Sequence, residues 1–561
     1  MRARLALPVA LVAAISVTAT ACQSSSGDGT ARSGSRSTSS AASGAADYNP
    51  TAYDKLRDGG TYTTAGTFDE QGNPFHVNAT LTASRVWAWY NANAITFSPT
   101  GEVRYNRDYF SDVKVSVGDD GNQKVVLTIN KKATFNDGTP IDWTAIKATW
   151  KANNGSDEDY AASTTDGYEQ ITDVARGKDD KQAVITFKGV NASWPSLFTT
   201  FLHPKAAKLD QFNKAYVKKA HPEWGAGPYT VGKWDTHSGN ITFVRNAKWW
   251  GRKGKLDKRV YVNLESTAAV NAFKNGQLDY VSAVDAESLK QLKGLKGTEI
   301  RSGGSPFEYS LYFNTKSAVL GDRTVRKAIQ ESVDRGQLAK IQFQGLDYEE
   351  PLPGSSLLYS FQKGYEDNVS AVLKYGPDRA KKELDAAGWK PGGDGIRAKG
   401  GKKLEVGYTL MGDDPLGKAT AGALAAMLKQ SGIRLTIEKA DQADFSSILS
   451  ERKFDLFLSG NRSMDPFGAR YLCEMYCSDR DSNLTGAGSP ELDKEIRATR
   501  DIADPDKQAT AANKVERKAL QDYARLPLYS GPSTYSVKKG LANVGATIFH
   551  NPLPETVGWE K

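Results

Sequence analysis

Apolar and polar positions along this chain follow two periods, and the switches between them mark out its elements. Alternation with period two marks strands, and apolar residues at three- and four-residue spacing mark helices. The stretch DGGTYTTAG, 58–66, reads as a first strand of small and β-prone residues. Between 124 and 150, KVVLTINKK is a strand and NDGT a turn, and Asp142 is placed to cap a helix that opens at Trp143. KQAVITFKG is a further strand. GAGPYTVGKWDTHSGNITFVRN reads as a hairpin, in which Gly225 and Gly227 relieve the backbone before Pro228. KRVYVNL followed by STAAVNAFKNGQLDYV reads as strand, helix, turn, strand.

A second region opens at YSLYFNT, Tyr309–Thr315. Helical patterns follow at DRTVRKAIQESVDRGQLAKI and PDRAKKELDAAGW. Then come strand KLEVGYTLM, helix KATAGALAAMLKQSG, strand RLTIEKA, helix ADFSSILSER and strand KFDLFLSG. Strands alternating with helices predict an α/β layer with parallel strands. No internal repeat of fixed period is present. At 561 residues the chain is too long for one ordinary core, so two or three lobes are expected.

The N-terminus carries a different pattern. MRARLALPVALVAAISVTATAC has a basic start at Arg2 and Arg4, an apolar run from Leu5 to Val17, then small residues. This is the layout of a secretory signal, too short and wrongly flanked for a stable membrane span. It ends in ATAC, Ala19 to Cys22, which resembles a bacterial lipobox with Ala19 where leucine is usual. That resemblance implies acylation of Cys22 and a membrane anchor. The following QSSSGDGTARSGSRSTSSAASGAAD offers almost nothing to bury and is expected to be a flexible tether. The net charge of +8 is spread over the whole chain, with no basic cluster interleaved with aromatics, so no nucleic-acid partner is expected.

Candidate chemistry narrows the field further. GDDPLGKAT, 412–420, nearly matches a phosphate loop, but Ala419 stands where Ser or Thr would hold magnesium, and Asp413 and Asp414 would repel phosphates. There is no G-x-S-x-G elbow and no H-E-x-x-H, so no enzyme is expected, and no cofactor. Cys473 and Cys477 stand one helical turn apart in an exported chain, which favours a disulfide. The rival reading, a metal pair, lacks ligands, because none of the five histidines lies nearby. Trp87, Trp89 and Tyr90 sit close together in RVWAWYNANAITF and could line a ligand cleft or pack a core.

Export signal, lipobox and tether precede FNDGTPIDWTAIKATW, GAGPYTV, RNAKWWGRKGKLDKRVYV, NGQLDYV, YFNTKSAVLGDRTVRKAIQESVDR and FDLFLSGNRSMDP, in that order. Together these resemble the large extracytoplasmic solute-binding lipoproteins, family 5, of peptide-type ABC importers. The resemblance implies an α/β clamp of two lobes, the periplasmic-binding-protein-like class II type, with an extra subdomain in the first lobe. The implied division is signal 1–22, tether 23–49, lobe I 50–309 with its subdomain near 98–215, lobe II 310–526, and a return to lobe I over 527–561. The chain is expected to cross between lobes near Ser310–Phe313 and to return near Pro527–Ser536. It also implies a monomer on the outer face of the cytoplasmic membrane that closes over a peptide or polar solute and works with ABC permease and ATPase subunits. The region NPFHVNATLTASRVWAW resembles an actinobacterial branch linked to phosphoinositide-mannoside and cell-envelope assembly. A non-transport scaffold or regulator that reuses the clamp is therefore the alternative function.

The loop LFLSGNRSMDP, which ends at Asp465–Pro466, concentrates the ligand question. In the peptide binders that this chain resembles, a carboxylate three residues before the DP pair holds the peptide's amino terminus. Here that position is Arg462. Two readings stay open: Arg462 holds an anionic or polar group of the ligand, or it pairs with Asp465 and braces the loop. Candidate ligand-binding residues are Arg462, Asp465, Asn461, Phe307, Tyr309, Trp87, Trp89 and Tyr90.

Overall fold

The computed structural model describes residues 45–561 except 67–70, 80–84, 347, 442–443 and 464. Two sheets organise it. A seven-stranded sheet runs in the order Thr298–Gly304, Pro532–Lys538, Tyr280–Ser282, Thr61–Ala65, Lys258–Val262, Asn240–Arg245, Tyr229–Asp235. Its core holds Tyr62, Trp87, Tyr90, Phe243 and Val537 on one side and Phe273, Leu278 and Leu292 on the other. A five-stranded sheet runs Arg434–Ala440, Glu405–Met411, Leu456–Arg462, Phe307–Phe313, Arg525–Tyr529. Helices Arg323–Ser332 and Pro415–Gln430 pack on it around Leu311, Phe313, Leu424, Leu428 and Leu456. The helical stretch after Asp322 is broken at Val333, where Asp334 caps a new helix, Arg335–Gln342, by accepting from Gln337 N at 2.9 Å.

The expected parallel layer is present over three strands only. Glu405–Met411 pairs parallel with both neighbours, whereas Phe307–Phe313 is antiparallel to both of its own. The reason lies in the path of the chain. Phe307–Phe313 leads away from the first lobe and Arg525–Tyr529 leads back to it, so the two must run in opposite directions. The chain changes sheets between Gly304 and Phe307 and again between Tyr529 and Pro532. The sequence boundaries at 309/310 and 526/527 thus fall inside strands of the second lobe. The apolar run starts at Tyr309, but the strand starts earlier, at Phe307; one oxygen of buried Glu308 there meets Arg525 Nη2 at 3.3 Å, and the other has no hydrogen-bond partner among the described residues.

A third unit is a four-stranded antiparallel sheet in the order Phe110–Val117, Gln123–Ile129, Gln182–Phe187, Ile171–Arg176. Helix Trp143–Asn153 covers it, burying Ile146 and Trp150 against Val125, Leu127, Ile185 and Phe187. Asp142 caps that helix by accepting from Thr144 N at 2.8 Å. The signal segment, Cys22 and most of the tether lie outside the described residues. The tether's expected last residues are part of the body, since Asp47 exchanges two backbone hydrogen bonds with Ala546, at 2.9 and 2.8 Å.

Candidate functional site in the cleft between the lobes

Arg462 ends the strand Leu456–Arg462 and pairs in register with Phe307, the first residue of the second lobe. The register therefore sets Arg462 beside the crossover, where the two lobes meet. Directly opposed residues of antiparallel strands share a face. Phe307 and Tyr309 accordingly lie on the face of Arg462, with ring centroids 4.7 Å apart, and Tyr309 reaches Tyr529 at 5.1 Å. A Cβ at Gly460 would strike the Phe307 ring, so glycine lets that ring lie over the strand. Asn461 faces the other way, where its amide bonds the Tyr312 hydroxyl. It belongs to a buried polar group with Glu308, Ser310 and Arg525 rather than to the surroundings of Arg462.

Half-buried Arg462 makes no hydrogen bond or ion pair with the described residues. Burial, and next the guanidinium of Arg85, hold it below the ordinary arginine value, while the phenols of Tyr535, Tyr359 and Tyr280 act in the opposite sense. Those five side chains come from separate segments. Tyr280 and Tyr535 stack at 4.8 Å in the first lobe, and Tyr62 meets Tyr280 edge-on at 6.4 Å. Tyr359, of the second lobe, donates to Ser463 Oγ at 3.3 Å. Burial raises the phenols of Tyr280 and Tyr359 well above their ordinary range, so both remain hydroxyl donors. A cavity lined by Gly304, Ser305, Glu308, Glu350, Tyr359 and Ser530 adjoins this cluster at the two crossovers.

Asp465 does not pair with Arg462. Its carboxylate accepts from Phe467 N at 2.9 Å, Arg470 Nη1 at 2.9 Å and the Tyr471 hydroxyl at 3.1 Å, and it is buried. Arg470 also donates to Ser196 Oγ of the subdomain at 2.8 Å, and Phe467 packs on Phe97 at 5.8 Å. The loop is thus braced by Arg470 and docked on the first lobe. Cys473 and Cys477 are joined as a disulfide, Cα atoms 4.6 Å apart, in the turn that follows. Asp479 lies beside them, but two bonded sulfurs are not available to a metal.

The tryptophan run serves the core. Trp87, Trp89 and Tyr90 are 3%, 7% and 0% exposed. Trp87 is enclosed by Tyr90, Trp234 and Phe243, and Trp89 meets Tyr229 at 5.1 Å. Their faces are taken by protein, so a ligand has no access to them. Arg85, two residues before Trp87, is exposed. Sequence reasoning passed over Arg85, Tyr280, Tyr359 and Tyr535. The only local hint was an arginine preceding the aromatic run, since the other three meet by folding alone.

Two lobes joined by two adjacent crossovers, with a subdomain on the first, define a periplasmic-binding-protein-like clamp. The chain belongs to family 5 of the bacterial extracellular solute-binding proteins: residues 114–483 match the family described as "Bacterial extracellular solute-binding proteins, family 5 Middle". It is 32% identical over 461 residues to the oligopeptide-binding protein OppA of Mycobacterium tuberculosis (strain ATCC 25618 / H37Rv), covering 81% of this chain and 76% of that one. It is 24% identical to OppA of Bacillus subtilis (strain 168), covering 78% and 83%. Among solved structures, the periplasmic EDTA-binding protein EppA superposes with a TM-score of 0.82 at 22% identity, covering 92% of this chain and 98% of that one. The nonapeptide complex of AppA from Bacillus subtilis gives 0.69 at 18%, covering 90% and 100%. Members of this family bind solutes outside the cytoplasm for ABC importers and are not enzymes.

Proposed function

We propose that this protein is a lipid-anchored, monomeric receptor on the outer face of the cytoplasmic membrane that closes over a polar solute and presents it to an ABC permease. The observation that carries this reading is Arg462: a half-buried cation at the lobe junction, on the face of Phe307 and Tyr309, with no partner among the described residues. A group that costs desolvation and gains no internal partner fits a site completed by ligand. Closure is favoured to the extent that the solute touches both lobes in the closed form more than in the open one. The relatives' names include oligopeptides, Ni(L-His) and EDTA, and the arginine at 462 fits an oxygen-rich solute better than a peptide's free amine. ATP would be spent by a separate subunit, in keeping with the mismatched phosphate loop. There Asp414 caps the helix Pro415–Gln430, and Asp413 is held by Lys418 and Lys439.

Two measurements test the reading. Small-angle scattering of the full-length protein, before and after removal of co-purified solute, is expected to show a ligand-dependent decrease in radius of gyration. A shape indifferent to every bound solute would overturn the receptor. Cys22→Ser is expected to shift the protein out of the membrane fraction. Retention of that variant at the membrane, with no acyl mass on the wild type, would remove the anchor.

A further inference from the structure

The loop that follows Arg462 meets the first lobe at a surface of its own. Pro466 sits on the tip of the hairpin formed by Ile95–Phe97 and Val103–Tyr105: a Cβ at Gly101, whose φ is +101°, would stand 2.5 Å from Pro466 Cβ. Phe467 then packs edge-on against buried Phe97, and Arg470 Nη1 donates to Ser196 Oγ at 2.8 Å. Each side of this contact is held firmly by its own lobe. On the second lobe, Gln362 Nε2 donates to Pro466 O at 2.9 Å, and the Asp465 carboxylate accepts from Phe467 N, Arg470 and Tyr471. On the first, Gly101 N closes its turn on Ser98 O at 3.0 Å, and Ser196 lies in the short helical turn Trp194–Phe198, anchored by buried Trp194, Leu197 and Phe198. With both surfaces fixed, separation of the lobes has to part them. Opening therefore exposes apolar surface of Phe97, Pro466 and Phe467 and breaks a charge-assisted hydrogen bond.

We propose that this contact is a latch: Gly101, Phe97 and Ser196 of the first lobe hold Pro466, Phe467 and Arg470 of the second, so that part of the free energy of closure comes from the protein and not from the solute. This rests on the receptor reading above and gives the subdomain a task in it. A solute that needs the closed form binds in proportion to the population of that form. Residues whose contacts are filled by protein thereby set affinity, acting as positioning residues through the lobe they hold. The latch is small, with one aromatic pair, one proline contact and one hydrogen bond between the lobes. It offsets opening without abolishing it and leaves the solute to decide the balance. It also has a steric signature. Gly101 has no room for a side chain while Pro466 lies on it, and the backbone strain of a side chain at positive φ is common to both forms. A methyl group at 101 therefore acts on closure.

Single-molecule energy transfer reads the closed fraction of the full-length chain once co-purified solute has been stripped. Dyes are placed at Val115→Cys and Ile437→Cys, exposed positions on edge strands of the subdomain and of the second lobe. The Cys22→Ser background leaves no other free thiol, because Cys473 and Cys477 are bonded. The stripped protein is expected to hold a closed minority. Ser196→Ala lowers its closed-to-open ratio by roughly 5- to 10-fold, the size of one net hydrogen bond, and Gly101→Ala lowers it at least as far. Ser196→Thr, which keeps the hydroxyl, stays at the starting ratio, and thermal unfolding of Ser196→Ala stays at that of its parent. A closed fraction that both Ser196→Ala and Gly101→Ala leave unchanged overturns the latch, as does a stripped protein with no closed fraction. The receptor reading fails on a different result: a dye distance that is the same before and after stripping while the variants still shift it.

Discussion

Arg462 and Arg470 leave the same loop eight residues apart, and the fold uses them in opposite ways. Arg470 is enclosed by partners: the Asp465 carboxylate, Ser196 Oγ from the subdomain, and the Tyr471 ring 4.9 Å away. Tyr471, Asp465, Glu474 and Asp166 raise it above the ordinary arginine value despite burial. Arg462 is half-buried, faces another arginine, and is lowered. One cation is consumed by structure and the other is left over. In a binding protein the leftover cation is the informative one, because desolvation without compensation has to be answered from outside the chain.

The comparison breaks first, and most heavily, at Arg470. Removing one partner of a buried pair costs about 3–5 kcal/mol, because the charge left behind is unpaired. Arg470→Ala is therefore expected to lower unfolding stability by about that amount in chemical denaturation and to loosen the loop's contact with the subdomain. A loss below about 1 kcal/mol, the level of an exposed pair, would show that Asp465 does not depend on it.

The disulfide beside that loop sharpens the same point. It closes a very short loop, so constraining the unfolded chain is worth only about 2 kcal/mol. Cys473→Ser with Cys477→Ser is expected to cost about that much stability while leaving solute affinity nearly unchanged, since both sulfurs are buried among Leu357, Leu472 and Ile496 rather than facing the cleft. Affinity falling in step with stability would show that the bonded turn also positions the ligand loop.

Parts of this contrast were legible in the sequence and parts were not. Strand Leu456–Arg462, helix Trp143–Asn153 with its Asp142 cap and the hairpin Tyr229–Arg245 follow from local periodicity and turn chemistry, which short windows carry. Strand Phe110–Val117 was passed over because it is an edge strand with exposed Val115 and Val117, so its apolar positions do not mark a buried face. Arg462 stood out by its place before Asp465–Pro466. Its companions did not: Tyr280 and Tyr535 meet through the long-range pairing of their strands, and Arg85 and Tyr359 lie outside any strand. The aromatic run at 87–90 misled for a related reason: a tryptophan that fills a core and one that lines a cleft look alike in sequence, and only the position of Phe243 and Trp234 separates them.

A further effect should come from pH. Glu474, on the short helix Leu472–Tyr476 of the second lobe, shares a hydrogen bond with Asp166 of the subdomain. Burial, then Asp166, lifts Glu474 from 4.5 to about 8, while Arg470 and Arg500 oppose the rise, and Asp166 is lowered in turn by that bond and by Arg470, Arg500 and Arg480. Where opening of the lobes parts Glu474 from Asp166, the open form releases the proton that the raised acid holds here. Closure therefore takes up a proton, and it weakens as pH rises from 4.5 towards about 8. Affinity for the co-purified solute is expected to fall over that window, by at most about tenfold per pH unit. Glu474→Gln, which keeps a donor towards Asp166, should flatten the profile. An unchanged slope in that variant would assign the pH dependence to the ligand instead.

The smallest expected effect separates the two arginines most cleanly. Arg462→Ala removes a charge that has no partner among the described residues and is pushed down by burial and by Arg85. The substitution relieves a desolvation cost and a like-charge repulsion and forfeits only the packing of the side-chain stem against Phe307. Stability of the ligand-free protein is therefore expected to stay within about 0.5 kcal/mol of wild type, with any change towards greater stability. Arg470→Ala, in the same loop, is expected to cost several times more. Denaturation of the two variants side by side, after co-purified solute has been stripped, reads the difference directly. A large loss in Arg462→Ala would mean that the chain itself supplies a partner for this arginine, and the cleft would then have no unmatched charge for a solute to answer.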